Sequence, residues 1–250
     1  MQEIHSMTTI WRYMDLWKFE SILAKKALFF SKVSAQTDGL EGMYPLIAKI
    51  FHARQLGHLP QPHQSYALHN QEVFTLAAKD EIILSCWHIN DSENPRMWND
   101  YIEADNGIAI QTTEESLKKS LEAFSHPCLI NIDKVQYVNR TTFSESLLND
   151  RMSLFFQKDK NYSWEKELRC AIDVTLSPLS DDQGGEWNAK YLPPKGNASP
   201  VGYFIPIEVN TLIEKIVVSP KASCLFNLRV KALCRKYGLV KPIENSGLYP

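Results

Sequence analysis

The stretch TTIWRYMDLWKFESILAKKALFFS, residues 8–31, sets the pattern from which the fold is read. Thr8–Tyr13 is short and β-prone, a first strand. Asp15 stands where a helix N-cap belongs, and Leu16, Phe19 and Leu23 share one face of a helix over residues 16–26. Ala27–Ser31 then reads as a second strand.

Beyond it the alternation is not kept up. A turn-rich segment, 34–42, leads to a helical stretch at 44–56, a break at Pro60-Gln61-Pro62-His63 and a second helical stretch at 69–79. Residues 43–80 therefore read as a helical insertion. Strands are expected at 81–87, 107–112, 129–138, 165–174, 201–207 and 215–219, and helices at 94–101, 114–124, 143–158 and 222–237. Residues 177–200, with Gly184-Gly185 and Pro193-Pro194, read as a long loop. Strands and helices intermingle without strict βαβ order, so the expected class is α+β, a single domain over residues 1–250.

Composition narrows the class further. With 250 residues, 44% hydrophobic and 22% charged, the chain can bury a core and is not a disordered or low-complexity protein. Five widely spaced cysteines, with no Cys-x-x-Cys, suggest neither a disulfide framework nor a zinc knuckle. The start lacks a signal-peptide pattern, and no run approaches the ~20 apolar residues of a membrane span, so a cytoplasmic location and no membrane partner are expected. Phosphate-binding glycine loops, the Gly-x-Ser-x-Gly elbow and His-Glu-x-x-His are missing. His58, His63 and His69 cluster in a polar segment without zinc spacing, and no metal site is expected. Cys86 and His88 share a strand face, either as a dyad or as a buried thiol beside a strand end.

Three short features carry candidate chemistry. On the first strand, alternation sends Trp11 and Tyr13 to one side and Arg12 to the other: core aromatics with a surface arginine, or a binding cation. Ser31 ends the second strand, as turn chemistry or as a pocket hydroxyl. In Trp164-Glu165-Lys166-Glu167-Leu168-Arg169, strand spacing puts Glu165, Glu167 and Arg169 on one face, where the arginine relieves the repulsion between carboxylates. That face is either solvated or catalytic. Met97, Trp98 and Tyr101 share a helix face, as core anchors or with a ring stacked on a ligand.

Taken together, Arg12, Ser31 and the late Glu165-x-Glu167 resemble the Arg–Ser–Glu arrangement of ADP-ribosyltransferases. The resemblance implies a split mixed or antiparallel sheet flanked by helices, and NAD as the substrate that donates ADP-ribose. It implies that Arg12, Tyr13, Ser31 and Trp98 hold NAD. Glu167 would stabilise the oxocarbenium-like centre, and Glu165 would face the acceptor. Which of the two glutamates is catalytic stays open at this point.

Over almost its whole length the chain also resembles a bacterial family known only as domain of unknown function 2971. The matching pieces include Leu28-Phe29-Phe30-Ser31, Ser85-Cys86-Trp87-His88, Met97-Trp98-x-x-Tyr101 and Ile216-Val217-Val218-Ser219-Pro220. One departure is Thr37-Asp38-Gly39, where the family has Asn-Asp-Pro. The expected activity is ADP-ribosyl transfer to a macromolecule, as a toxin or anti-phage effector that an antitoxin or chaperone can accompany. The alternative is a non-catalytic binding module on a degenerate transferase fold.

The formal net charge of −2 hides a division. No acid falls between Glu214 and Glu244, while Arg229, Lys231, Arg235 and Lys236 fall on the last helix. Those four are the expected acceptor-binding residues. RNA or DNA is the acidic partner this favours, with protein as the other acceptor class; a solvated helix face is the plainer reading.

Overall fold

The opening residues form β1 (Thr9–Asp15), α1 (Leu16–Lys25) and β2 (Ala27–Lys32) in the computed structural model, which describes residues 8–36, 42, 50, 53–103, 106–124, 129–139, 152–175, 198–199 and 201–248. Leu16, Phe19, Ile22 and Leu23 bury one stripe of α1, and Lys26 ends the helix in the left-handed region at φ 49°. Asp15 precedes α1 but its side chain does not cap it. Instead its Oδ1 accepts from the Glu103 amide at 3.2 Å.

The elements that follow are α2 (Gln61–Glu81), β3 (Ile82–Ile89), α3 (Pro95–Tyr101), β4 (Gly107–Thr113) and α4 (Glu114–Leu121). Then come β5 (Asn131–Lys134), β6 (Gln136–Val138), β7 (Gln157–Asp159), β8 (Glu167–Asp173), β9 (Ala198–Ser199) and β10 (Gly202–Pro206). The chain closes with α5 (Val209–Leu212), β11 (Lys215–Val218), α6 (Cys224–Lys236) and β12 (Ile243–Asn245). Strands and helices make an α+β fold, as the sequence order implies.

The sheet is organised around β3. On one edge, β3 pairs with β8 along its whole length, and β5 lies beyond β8. His88 pairs with both Trp11 and Glu167, and Leu84 with both Ser31 and Ala171. β1 and β2 therefore meet the same opposite edge of β3, β1 at its C-terminal end and β2 at its N-terminal end. Residues 85–87 lie between these two contacts and pair with neither strand. From β1 the sheet continues through β4 and β11 to β12, and from β2 through β10 to β9. Every pairing in it is antiparallel except β11 with β12.

Alternation assigns the faces. Ile10, Met14, Ile83, Trp87, Leu168 and Cys170 point to one side, where α1, α4 and α6 close the main core with Phe19, Leu117 and Val230. The other side carries two smaller clusters. One joins Leu84 and Ala171 to Leu154 and Phe155; the second joins Trp11 and Tyr13 to Met97 and Trp98. Among the described residues no helix is long and apolar enough to cross a membrane.

Several local expectations need correction. The break before the second helix is shorter than expected: residues 53–55 are helical, Leu56–His58 is a 3-10 turn, and α2 already starts at Gln61 instead of 69, because a proline in the first helical turn gives up an amide that has no partner there. His63 and His69 thus lie on α2. The helix expected over 143–158 is absent where residues are described: Met152–Phe156 is a 3-10 turn and Gln157–Asp159 is β7, paired parallel with β6. The strand expected over 129–138 divides at Val135, whose amide turns to the Glu167 carbonyl. The strand expected from Glu165 begins at Glu167, because Glu165 ends a 3-10 turn and Lys166 is left-handed at φ 42°. Residues 37–41, 43–49 and most of 177–200 lie outside the described residues.

Candidate active site

Lys166 is the pivot of the site. Its left-handed conformation turns the chain between the 3-10 turn Lys160–Glu165 and β8, so that Glu165 and Glu167 approach one another from different elements. β7 supplies Lys158, whose Nζ donates to Glu165 Oε2 at 2.5 Å and to Glu167 Oε1 at 2.8 Å. From two residues further along β8, Arg169 donates to Glu167 Oε2 through Nη2 at 2.6 Å and Nε at 3.2 Å. Its third donor, Nη1, goes to the Phe155 carbonyl. All four charged side chains are buried, and Arg169 completely so.

Lys158 bridges the two carboxyls, and their proton affinities diverge. Burial and the neighbouring Glu167 push Glu165 up to about 8, against the pull of Lys158. Burial acts upward on Glu167 too, but Arg169, Glu165 and Lys158 together outweigh it and hold that carboxyl well below the usual range. One neighbour is thus a protonated donor near neutral pH and the other a fixed anion, the division of labour on which two-carboxylate chemistry depends.

The surroundings brace this pair. The Tyr137 hydroxyl accepts from the Glu167 amide at 2.8 Å. His88 is buried, with Nδ1 donating to the Glu165 carbonyl at 2.6 Å and Nε2 facing Asn94 Nδ2 at 3.2 Å. Burial lowers its pKa and favours the neutral ring, whose two nitrogens are taken up by the Glu165 carbonyl and Asn94. Tyr101 is partly exposed, and burial, then Glu165 and Glu167, raise its pKa. Arg96 stacks on Trp164 at 3.6 Å nearby.

The other residues singled out from the sequence are placed differently. Tyr13 and Trp98 are buried partners, edge to face at 4.9 Å; the Tyr13 hydroxyl accepts from the Asn94 amide and Trp98 donates to Glu93. Both hold α3 against β1, which is the core-anchor reading. Ser31 is on the Glu167 face but accepts from Gln36. Its partner Leu84 is four residues from His88, the partner of Glu167, which is about 13 Å along the strand.

Arg12 leaves β1 on the face opposite Glu167 and spans the gap between β1 and β2. Its Nη1 donates to Ser85 Oγ at 2.7 Å, its Nη2 to the Phe29 carbonyl at 3.2 Å, and its guanidinium lies 5.5 Å from the Trp87 ring centre. Burial lowers its pKa, opposed by the nearby Cys86 and Cys170 thiols. Arg12, Ser31 and Glu167 are therefore not brought side by side. Arg229, Lys231, Arg235 and Lys236 are exposed on α6, behind the sheet from the carboxyl pair.

Lys158 and Tyr101 were not legible as site residues from the sequence. Lys158 lay inside a pattern that read as an amphipathic helix, and Tyr101 matched a core stripe. Among the described residues no three metal-ligating side chains converge. No protein-family model, curated protein or solved structure matches this chain.

Proposed function

We propose that the chain transfers ADP-ribose from NAD to a macromolecular acceptor, with Glu165 and Glu167 as its chemical centre. The observation that carries this reading is the buried carboxyl pair at the head of β8, bridged by Lys158 and held on the Glu167 side by Arg169, with the proton affinities of the two carboxyls pushed apart. Glu167, kept anionic by Lys158 and Arg169, stabilises positive charge at the ribose carbon as its bond to nicotinamide breaks and the electron pair leaves with the ring. The acceptor then bonds to that carbon and yields its proton to Glu165 in its ionised form. The sheet, with β1 and β2 leaving one edge of β3, supports assigning the fold to the split-sheet class of these transferases, a fold-level analogy.

The roles of Arg12 and Ser31 change in this reading. Arg12 positions β2 against β3 instead of touching the ribose beside Glu167, and Ser31 lies too far along the strand to support Glu167. Cell lysate incubated with labelled NAD should acquire label on protein or nucleic acid, and Glu167→Gln should abolish it. Undiminished labelling by a folded Glu167→Gln variant removes Glu167 from the chemistry. No NAD turnover by the wild type under any acceptor condition overturns the assignment.

A second reading, a binding module without turnover, is favoured by one feature: Glu167 and Arg12 are each already bonded within the protein. It predicts that NAD raises the melting temperature while no nicotinamide is released.

A further inference from the structure

α1 and α6 both spend their apolar stripes on the same core, so their outer sides face solvent together, behind the sheet from Glu165 and Glu167. On that outer layer Lys25, Lys26, Arg229, Lys231, Arg235 and Lys236 are all exposed. Glu20 is the single acid in either helix, and it is engaged by Lys236 at 3.0 Å. The helix dipole rationalises cations in the last turns, at Lys25, Arg235 and Lys236. It accounts neither for Arg229 and Lys231 nor for the lack of any acid between Glu214 and Glu244.

We propose that this two-helix face docks the phosphate backbone of a nucleic acid. From Arg229 to Lys236 the basic residues of α6 span about 10.5 Å along the axis at 1.5 Å per residue, with Arg229 and Lys236 on one flank of the exposed side and Lys231 and Arg235 on the other. That length matches about three phosphates of one strand at 3.4 Å each. A lipid surface is a poorer partner, because the apolar stripe Phe226, Val230 and Leu233 is committed to the core and the apolar side chains that α6 does expose, Leu225 and Leu228, both precede the basic residues. The position behind the sheet makes this a docking surface that retains the polymer; it does not present the reacting atom. The inference stands apart from the proposed transferase activity.

The test uses the full chain with a labelled RNA of about 20 nucleotides and the matching DNA duplex, by fluorescence anisotropy between about 50 and 200 mM salt. Binding should weaken with salt with a logarithmic slope of about −2 to −4, as for three or four phosphate contacts. The R229A/K231A/R235A variant should bind at least about tenfold more weakly at low salt, with unchanged melting temperature. Lys236 is kept because it also bonds Glu20. Salt-insensitive binding, no binding of either nucleic acid, or equal binding by the variant overturns the proposal. So does capture by anionic vesicles or polyglutamate in place of the oligonucleotides. NAD turnover without nucleic acid should be the same in wild type and variant, so failure of the transferase reading leaves this result intact.

Discussion

Glu165 and Glu167 share one cation, Lys158 Nζ at 2.5 and 2.8 Å, although only Glu167 belongs to β8; Glu165 arrives from a 3-10 turn across the left-handed Lys166. A strand continuing back through residue 165 would have placed the two carboxyls about 6.6 Å apart along one face, facing outward side by side. The turn lets one lysine answer both carboxyls.

Removing Glu167 should be severe for folding as well as for activity. Glu167→Gln leaves Lys158 and Arg169 buried beside a neutral amide, and loss of one partner from a buried ionic group costs about 3–5 kcal/mol. Urea denaturation should show that loss, and a cost below about 1 kcal/mol would mean that the cations find other partners.

The pH dependence of stability follows from the two shifts, which act in opposite ways. Glu165 is raised to about 8, so the folded state holds a proton the unfolded state has lost. Its contribution is fully present at acid pH and declines from the unfolded carboxyl range up to about pH 8. Glu167 is lowered, so its contribution is present above the ordinary carboxyl range and is lost as pH falls below it. Melting temperatures from pH 3 to 9 should therefore peak on the acid side of neutrality, and Glu165→Gln should flatten the alkaline limb alone.

The same titration shapes catalysis under the proposed function. An acceptor's proton can pass only to ionised Glu165, so turnover should rise with pH through about 8 and level off above it. Glu165→Gln should lower the rate and remove that rise. A flat profile in the wild type assigns the base elsewhere.

Arg12 holds two strands that do not pair with each other. Ser85→Ala removes the charged hydrogen bond that anchors Arg12 to β3 beside the gap and should cost about 1.5–3 kcal/mol. Hydrogen exchange should quicken at the β2 amides near Phe29 more than in β4, where β1 is fully paired. Equal change in both would show a general loss of stability and no local bridge.

Glu93 fastens the segment after α6. It accepts from Trp98 Nε1 at 3.0 Å, Ser246 Oγ at 2.5 Å and the Gly247 amide at 2.8 Å. Glu93→Ala leaves the indole N–H of a buried tryptophan without this acceptor, at a cost of about 1–3 kcal/mol. Exchange should accelerate over residues 243–248, and unchanged protection there would show that β12 is held by β11 alone.

Much of the architecture was legible in local patterns. The alternation of Ile10, Arg12 and Met14 against Trp11 and Tyr13 is the division between the two sides of the sheet, and the stripe Phe226, Val230, Leu233 is the buried face of α6. These are short-range periodicities, set by backbone geometry and water, and one stretch of chain suffices to display them. Arg169 was also legible as the cation that relieves the Glu pair, since it is two residues along the same strand.

The site itself depended on contacts between distant elements. Lys158 sits nine residues before Glu167 in a segment whose apolar spacing suits a helix, yet β6 and the carboxyls draw it into a strand. The order Arg12, Ser31, Glu167 suggested one pocket, but order along the chain does not say which face a side chain takes once strands have chosen partners. A residue's parity against its neighbour is fixed by register, which is a tertiary choice. The sequence by itself determined an α+β chain, the strands β1 to β4, the apolar stripes of α1 and α6 and a basic final helix. Tertiary structure alone decided that Glu165 meets Glu167 and Lys158, that Arg12 turns to the opposite face, and that the basic helix stands behind the sheet. Those outcomes belong to long-range pairing and burial, which local periodicity does not encode.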